Sequence, residues 1–217
     1  VLGKDYEEAN PHFGANYWEE WERPVHLELY DTDGNKVLDQ DAGAKIFGGW
    51  SRMADQKSLA LYARNDYGKG SFEYKLFQDK PIEKFEAFVL RNSGNDNMRL
   101  QFHDAFMTGL TRNMDVDRQA SQPAAVYING EYWGIQNIRE KVNEHFIAEN
   151  HLVDPDDVNL LEYQSDVIYV SNSDYLEILS FLNGHSTLAN DSDYAEVSDK
   201  IDIDNYIQYQ LTQIFLN

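Results

Sequence analysis

The chain has 217 residues, a formal net charge of −20 and no cysteine. Its strongly negative surface repels nucleic-acid phosphates and anionic lipids, which argues against DNA, RNA and membrane partners. The lack of cysteine excludes disulfides, thiol catalysis and Cys-ligated metal centres. A hydrophobic content of 42% supports a folded core. No stretch approaches the roughly 18 consecutive apolar residues of a membrane-spanning helix.

Residues 1–22 are polar and aromatic, and they are predicted to form a lead-in segment that packs through its aromatic rings. Residues 25–30 alternate apolar and polar side chains, which is the period of a β-strand. The next five residues, 31–35, begin like an EF-hand calcium loop. However, Lys36 replaces the glycine of the sixth position and Ala42 replaces the bidentate acid of the twelfth. A plain hairpin turn is therefore favoured.

Further strands and one helix are predicted in the middle of the chain. A strand begins at residues 44–47, and the polar, glycine-containing residues 48–52 interrupt it. Strands are again predicted over residues 57–64 and 85–91. Apolar side chains between Met98 and Asn113 recur at helical spacing, so this stretch is predicted to be a helix.

The stretch from Val126 to Val142 predicts a β-hairpin. Asn129-Gly130 is the strongest short-range hairpin signal, because a type I′ turn needs positive φ at both central residues. The flanking residues are β-branched or aromatic and suit a pleated, half-buried surface.

Helices dominate the sequence after residue 142. The predicted elements are a helix over 144–152 capped by Asn143, a short strand over 158–163, a helix over 173–182, one weak helical turn within 190–199, and a final helix capped by Asp204. The sequence therefore predicts an α+β protein with a lead-in segment (1–22), a β-rich part (23–142) and a helical part (143–217).

Several short stretches together resemble one protein family. They are residues 44–52 followed by 56–61, then 90–96, 102–105, 127–134 and 138–140. In this order and spacing they resemble the CotH kinase-like family, named after spore coat protein H, from residue 23 to the end of the chain. The Trp-rich lead-in resembles multi-domain secreted proteins of Bacteroidetes-type bacteria.

The resemblance implies an atypical protein kinase that phosphorylates Ser or Thr of secreted or surface proteins, with ATP and Mg²⁺ as cofactors. It also implies a protein-kinase-like fold, with an N-terminal antiparallel-sheet lobe that carries one helix and a truncated helical C-terminal lobe. An extracellular or cell-surface location is expected. The first four residues are not a signal peptide, so the sequence is expected to start within a longer gene product.

By this resemblance, Lys57 is the lysine that neutralises the nucleotide phosphates, and Arg52 assists it. Asp104 matches the family's acidic position and is expected to pair with Lys57. Gly48 and Gly49 let backbone amides approach a phosphate. The structural alternatives are a solvent-facing strand lysine, a surface helix acid and an ordinary tight turn.

Residues 138–141 resemble the linker between kinase lobes, which places Glu140 on the adenine or ribose side of a nucleotide. The alternative is a salt-bridged strand end in which Glu140 pairs with Arg139 or Lys141. The family's catalytic Asp–Asn pair and its later metal-binding Asp are expected beyond Asn217. No catalytic or metal-ligating residue is therefore predicted within the chain, and the chain alone is expected to lack kinase activity.

Two other functions remain open from the sequence. A non-catalytic module would present exposed aromatic residues to a protein or glycan partner, and Trp18, Trp21, Trp50 and Trp133 are the candidates, unless they pack in the core. A hydrolase is the least favoured, because the six histidines show no metal-binding spacing and no G-x-S-x-G sequence occurs.

Overall fold

The computed structural model describes residue 3 and residues 5–163, 165–185, 187 and 189–216. The chain divides into two compact units. We call Val1–Gly109 with Gln119–Lys141 the sheet unit, and Leu110–Arg118 with Val142–Asn217 the helical unit. The mixed α and β composition and the antiparallel sheet agree with the prediction.

The sheet unit is built on six antiparallel strands in the order β1-β2-β3-β6-β8-β7. A separate two-stranded pair, β4 and β5, lies in the connection between β3 and β6. The strands are β1 Arg23–Tyr30, β2 Lys36–Phe47, β3 Ser58–Tyr62, β4 Phe72–Glu73, β5 Lys84–Phe85, β6 Ala87–Arg91, β7 Ser121–Ile128 and β8 Glu131–Glu140. The helix α1, His103–Leu110, follows β6.

Two hairpins confirm the turn predictions. At the β1–β2 turn, the Asp31 carboxylate accepts hydrogen bonds from the backbone N–H groups of Asp33 (2.9 Å) and Asn35 (2.8 Å), as a turn-forming aspartate does. At the β7–β8 turn, Asn129 and Gly130 have φ values of 52° and 82°, the positive angles that a type I′ turn requires.

The main core lies on one face of the sheet. Leu61 and Phe88 are register partners on this face, and Phe88 is in turn opposite Glu140. The connection from β3 to β6 covers this face with buried side chains, namely Phe72, Leu76, Phe77 and Phe85. Burying such a large apolar side chain stabilises the folded state by about 1.5–3 kcal/mol. The opposite face carries Ala60, Val89 and Arg139, which are also register partners.

Two elements of the sheet unit, β2 and α1, differ from their predicted bounds. Strand β2 starts at Lys36, well before residue 44, because its first half pairs with β1. Helix α1 starts at His103 and not at Met98. Ser93 has a left-handed φ of 68°, and the Asn92 side chain accepts from Gly94 N (3.0 Å), so the chain forms turns before the helix begins.

The helical unit contains four helices and a small hairpin among its described residues. They are α2 Glu144–His151, β9 Leu160–Glu162, β10 Asp166–Tyr169, α3 Ser173–Gly184, α4 Asp191–Lys200 and α5 Ile203–Leu216. In the parts of the chain that the structure describes, no helix has the length and apolar character needed to cross a bilayer.

Helix caps in the helical unit were predicted with mixed success. Asn143 caps α2 as predicted, since its side chain accepts from Phe146 N (3.1 Å). The single turn predicted within 190–199 is wrong: α4 has ten residues and is capped by Asn190. At α5 the Asp202 side chain accepts from Asn205 N (2.9 Å), so the capping residue is Asp202 and not Asp204.

Candidate functional site

Lys57 lies directly before β3 and is half-buried. Its ammonium donates a hydrogen bond to the carbonyl of Ala54 (2.7 Å) and lies 4.4 Å from the centroid of the Tyr17 ring. Burial lowers the pKa of Lys57, because removing the ammonium from water disfavours its charged form. An ammonium has three N–H donors. Among the described residues, the Lys57 ammonium has one hydrogen-bond acceptor, the Ala54 carbonyl, so it keeps donors for an anionic ligand.

A glycine turn precedes Lys57 and is held by Arg52. Gly48 has a φ of 107°, a conformation that favours glycine. The Arg52 guanidinium donates to the Gly48 carbonyl (2.5 Å) and to the Trp18 carbonyl (3.2 Å), and it pairs with Glu20 (2.7 Å). Gly49 accepts from the Arg52 backbone N–H (3.1 Å). Arg52 thus joins the turn to the lead-in segment with donors that a phosphate would otherwise use.

The lead-in segment packs on the same turn through its aromatic rings. The Trp18 ring meets Trp50 edge-on, with centroids 6.4 Å apart, and Phe13 lies 6.2 Å from Trp50. With the Tyr17 ring against Lys57, these contacts cover the lysine from the side of the lead-in segment.

Asp104, on α1, is held by two arginines and not by Lys57. Its carboxylate pairs with Arg91 (2.8 Å) and with the fully buried Arg139 (2.6 Å). Burial lowers the pKa of Arg139, while the nearby Asp104 carboxylate opposes that shift.

Different partners replace the expected Lys57–Asp104 pair. Arg139 is opposite Val89, on the face of the sheet that α1 covers, and binds the Asp104 carboxylate. Lys57 lies before the first residue of β3, and its ammonium bonds the Ala54 carbonyl and lies over the Tyr17 ring. The residue pattern identified both groups but did not give their partners.

Glu140 forms a buried ion pair at the end of β8. Its carboxylate lies 2.6 Å from the Lys80 ammonium and accepts from the Ala120 backbone N–H (2.7 Å), and the residue is 3% exposed. The residues 138–140 are the last of β8, and Glu140 shares the core face with Phe88. The alternative of a salt-bridged strand end describes this arrangement, although Lys80 is the ion-pair partner.

The six candidate residues therefore do not converge on one point. Gly48, Gly49 and Arg52 form one turn directly before Lys57, whereas Asp104 and Glu140 lie on opposite faces of the sheet. Whether these residues bind a nucleotide stays a prediction.

Sequence reasoning missed Lys80 and Gln136. No local signal identifies Lys80, because its partner is distant in the sequence. Gln136 had a signal: Gln136, Ile138 and Glu140 alternate along β8 on the core face, so two polar residues stand where apolar ones are expected. The Gln136 side chain donates to the Lys57 backbone carbonyl (2.7 Å).

A cluster of three titratable side chains lies on the β1–β2 hairpin. His26, Glu28 and Asp39 offer ligand atoms within 4.8 Å of one another, and all three are exposed. The Lys36 ammonium bridges Glu28 and Asp39 (2.8 Å to Asp39), so a cation of the chain itself already neutralises these carboxylates. Hydrogen bonds to these two carboxylates, of Asp39 and Glu28, raise the pKa of Lys36 above its usual value.

Comparison with models of protein families identifies the family of this chain. The sequence model of the family described as CotH kinase protein matches residues 44–217. This range includes the glycine turn, Lys57, Asp104 and Glu140. No curated protein matches the chain.

Proposed function

The chain belongs to the CotH kinase family, and on that premise we propose that it is the ATP-binding portion of a kinase that phosphorylates Ser or Thr of secreted or surface proteins. The family supports a kinase-like function and implies ATP and a divalent metal as cofactors. The observation that carries the proposal is the Lys57 ammonium, which is half-buried beside a glycine turn and keeps donors for an anion. An extracellular or cell-surface location is part of the same proposal.

The Lys57 environment suits a phosphate. A charge-assisted hydrogen bond from an ammonium to a phosphate oxygen is roughly twice as strong as a neutral one. Burial lowers the pKa of Lys57, so an arriving triphosphate would restore the preference for the charged form. The ligand would compete with the Tyr17 ring and the Ala54 carbonyl for the ammonium.

The candidate carboxylates do not fit a divalent metal in the same way. Asp104 is paired with Arg91 and Arg139, and Glu140 is paired with Lys80. Neither offers a carboxylate that is free of cationic partners. ATP binding through Lys57 is therefore the part of the proposal that these residues support, and no step through the metal is derived.

Kinase-like lobes are part of the proposal. In protein kinases the phosphate lysine stands on the third strand of an antiparallel sheet, next to a helix that supplies an acid. The sheet unit has a lysine directly before β3 and one helix, α1, that carries Asp104. We assign the sheet unit to the N-terminal lobe and the helical unit to the C-terminal lobe on this likeness.

An ATP titration with MgCl₂ tests the proposal. The protein should bind ATP, and Lys57→Met should weaken binding at least about tenfold, since a charge-assisted hydrogen bond contributes about 1.5–3 kcal/mol. Lys69→Met, which removes an exposed lysine of the same unit, is the matched control and should leave affinity unchanged. Calorimetry gives the affinity, and the fluorescence of Trp18 and Trp50 reports binding near the turn.

Equal ATP affinity in Lys57→Met and the unaltered protein, or no ATP binding at all, would contradict the proposal. Incubation with ATP, Mg²⁺ or Mn²⁺ and casein as a generic Ser/Thr acceptor measures transfer directly. No transfer is expected, because no catalytic residue is predicted within the chain, and transfer that Lys57→Met abolishes would show that the catalytic residues were assigned wrongly.

A non-catalytic binding module is the second candidate. The Trp50 ring is 61% exposed and that of Trp21 is 44% exposed, and Tyr127 and Tyr132 form an exposed ring pair with centroids 5.4 Å apart. Exposed aromatic rings suit a protein or glycan partner. A glycan array that is positive for the unaltered protein and negative for Trp50→Ala, together with no ATP binding, would favour this function.

A further inference from the structure

The backbone at Lys57 lies beyond the hydrogen-bonded ladder of the sheet. The β2–β3 register ends at the Phe47–Ser58 pair, and the β3–β6 register ends at the Leu59–Leu90 pair. Lys57 precedes both pairs. The position of its main chain therefore depends on contacts other than strand pairing.

Side-chain amides supply those contacts. Gln136, which is 1% exposed on β8, donates from Nε2 to the Lys57 carbonyl (2.7 Å). Asn92, which is 1% exposed after β6, donates from Nδ2 to the Gln56 carbonyl (2.7 Å). Two consecutive carbonyls that strand pairing does not reach are thus bound by buried amides from two other elements.

The neighbouring residues are fixed in the same way. The Gln56 amide donates to the carbonyls of Trp133 and Ile135 on β8, both at 3.2 Å. Ser58 Oγ donates to the Asn92 side chain (2.8 Å) and accepts from the Asn92 backbone N–H (2.9 Å). These contacts tie residues 56–58 to β8 and to the end of β6.

Glycine at position 134 is required for this arrangement. Gly134 has a φ of 127°, and a Cβ there would collide with the Gln56 amide nitrogen. The close approach of Gln56 to β8 therefore depends on a residue without a side chain.

We propose that Gln136 and Asn92 are positioning residues that hold the main chain at Lys57 in place and so set where its ammonium stands. This inference rests on the proposed function for its link to ATP, and on the amide contacts alone for its effect on Lys57. The Gln136 Nε2 group is the part of the side chain that acts, because the Lys57 carbonyl can only accept. Gln136→Met and Gln136→Leu both remove the donor and add no charge near the lysine.

Gln40 provides a matched control in the same sheet. It is 6% exposed and donates from Nε2 to the Ser71 carbonyl (3.2 Å). Gln40→Met therefore removes the same kind of bond from a buried amide to a backbone carbonyl at another place. Both Met variants should lower the thermal unfolding midpoint, whereas the effect on Lys57 should be confined to Gln136.

Two measurements test the proposal. The first follows Lys57 by the NMR shift of its ¹³Cε over a pH titration, assigned with Lys57→Met. In Gln136→Met and Gln136→Leu the titration midpoint should move upward toward the ordinary lysine value, because the ammonium gains access to water, and in Gln40→Met it should stay. The second is ATP affinity, which should fall about threefold to tenfold in the Gln136 variants, as expected when the hydrogen bond from the Lys57 ammonium to a phosphate oxygen is weakened but not lost, and stay unchanged in Gln40→Met.

An unchanged Lys57 titration in both Gln136 variants overturns the positioning role, whether or not ATP binds. A shifted titration with unchanged ATP affinity also overturns it as a determinant of ligand binding. If Lys57→Met itself leaves ATP affinity unchanged, the proposed function fails, and the ¹³Cε titration still decides whether Gln136 positions the lysine.

Discussion

The two units differ in net charge and in the burial of their charged side chains. The helical unit has 17 of the 38 acidic residues but only three of the 18 Lys and Arg residues, whereas the sheet unit has the other 21 and 15. Their net charges are −14 and −6. The sheet unit places several of its cations inside, as in the Lys80–Glu140 and Arg139–Asp104 pairs, while the Lys200–Glu177 pair of the helical unit is exposed.

This difference in charge indicates where an anion can bind. A surface with a charge of −14 repels a triphosphate, and the few cations of the helical unit do not offset that field. The sheet unit supplies buried or half-buried cations, of which Lys57 keeps donors for a ligand. The comparison also predicts that removing a single cation has a large effect in the sheet unit and a small one in the helical unit.

The largest expected effect is that of Lys80→Met. It leaves the Glu140 carboxylate buried beside the Ala120 N–H without its cation, which should lower the free energy of unfolding by about 3–5 kcal/mol. Lys200→Met is the matched control in the helical unit and should cost no more than about 1 kcal/mol, because the Lys200–Glu177 pair is exposed. Urea unfolding measures both.

All four tryptophans lie in the sheet unit, so their fluorescence follows that unit, while far-ultraviolet circular dichroism also reports the helices. Equal losses in Lys80→Met and Lys200→Met would break the contrast between the units.

An intermediate effect is expected at α4. Asn190→Ala removes the side chain that accepts from Asp193 N (2.8 Å), and losing such a cap costs about 1 kcal/mol. The loss should appear in the circular dichroism transition and not in tryptophan fluorescence. Asn190→Ser keeps an acceptor for Asp193 N without placing a second carboxylate against the Asp193 side chain, and is the control. A fluorescence transition that shifts as far as the helical one would show that the two units unfold together.

The smallest effect is a pH dependence at the β1–β2 hairpin. The hydrogen bond that the His26 ring donates to the Asp41 carboxylate, with the nearby Asp39, raises the pKa of His26. A base whose pKa is higher in the folded state stabilises the fold fully below its unfolded pKa, near 6.5, and this contribution is lost as pH rises through the folded value. The difference in Tm between the protein and His26→Gln should therefore shrink above neutral pH.

Asp41→Asn should reduce the same pH dependence, because it removes the first cause of the shift. A Tm difference between the protein and His26→Gln that stays constant from pH 5.5 to 9 would contradict the assignment.

Local chemistry made part of the fold predictable. Asn129-Gly130 and Asn143 act within a few residues of themselves, so a turn and a cap follow directly from the sequence. Helix α4 was underestimated because Val197 is its one buried residue, and a helix with so little apolar surface gives a weak periodic signal.

The candidate residues came from the resemblance and stay a prediction as a nucleotide site, and their pairings could not be predicted. Asp104 pairs with Arg91 and Arg139, while the Lys57 ammonium bonds the Ala54 carbonyl. The partner of Glu140 comes from the connection between β3 and β6, which no sequence spacing indicates. Pairings of this kind depend on sheet register, which is a property of the folded chain.

The β1–β2 pairing has a practical consequence for anyone who shortens this protein. The family match begins at Ala44, and this residue lies inside β2, opposite Arg23. A fragment cut at that boundary would discard β1 and residues 36–43 of β2, although residues 44–47 would keep their pairing with β3. The lost segment contains Leu38 and Ala42 of the main core and the β1 side chains that pack against it. Their loss uncovers apolar core surface, so truncation at the matched boundary favours aggregates over a soluble domain.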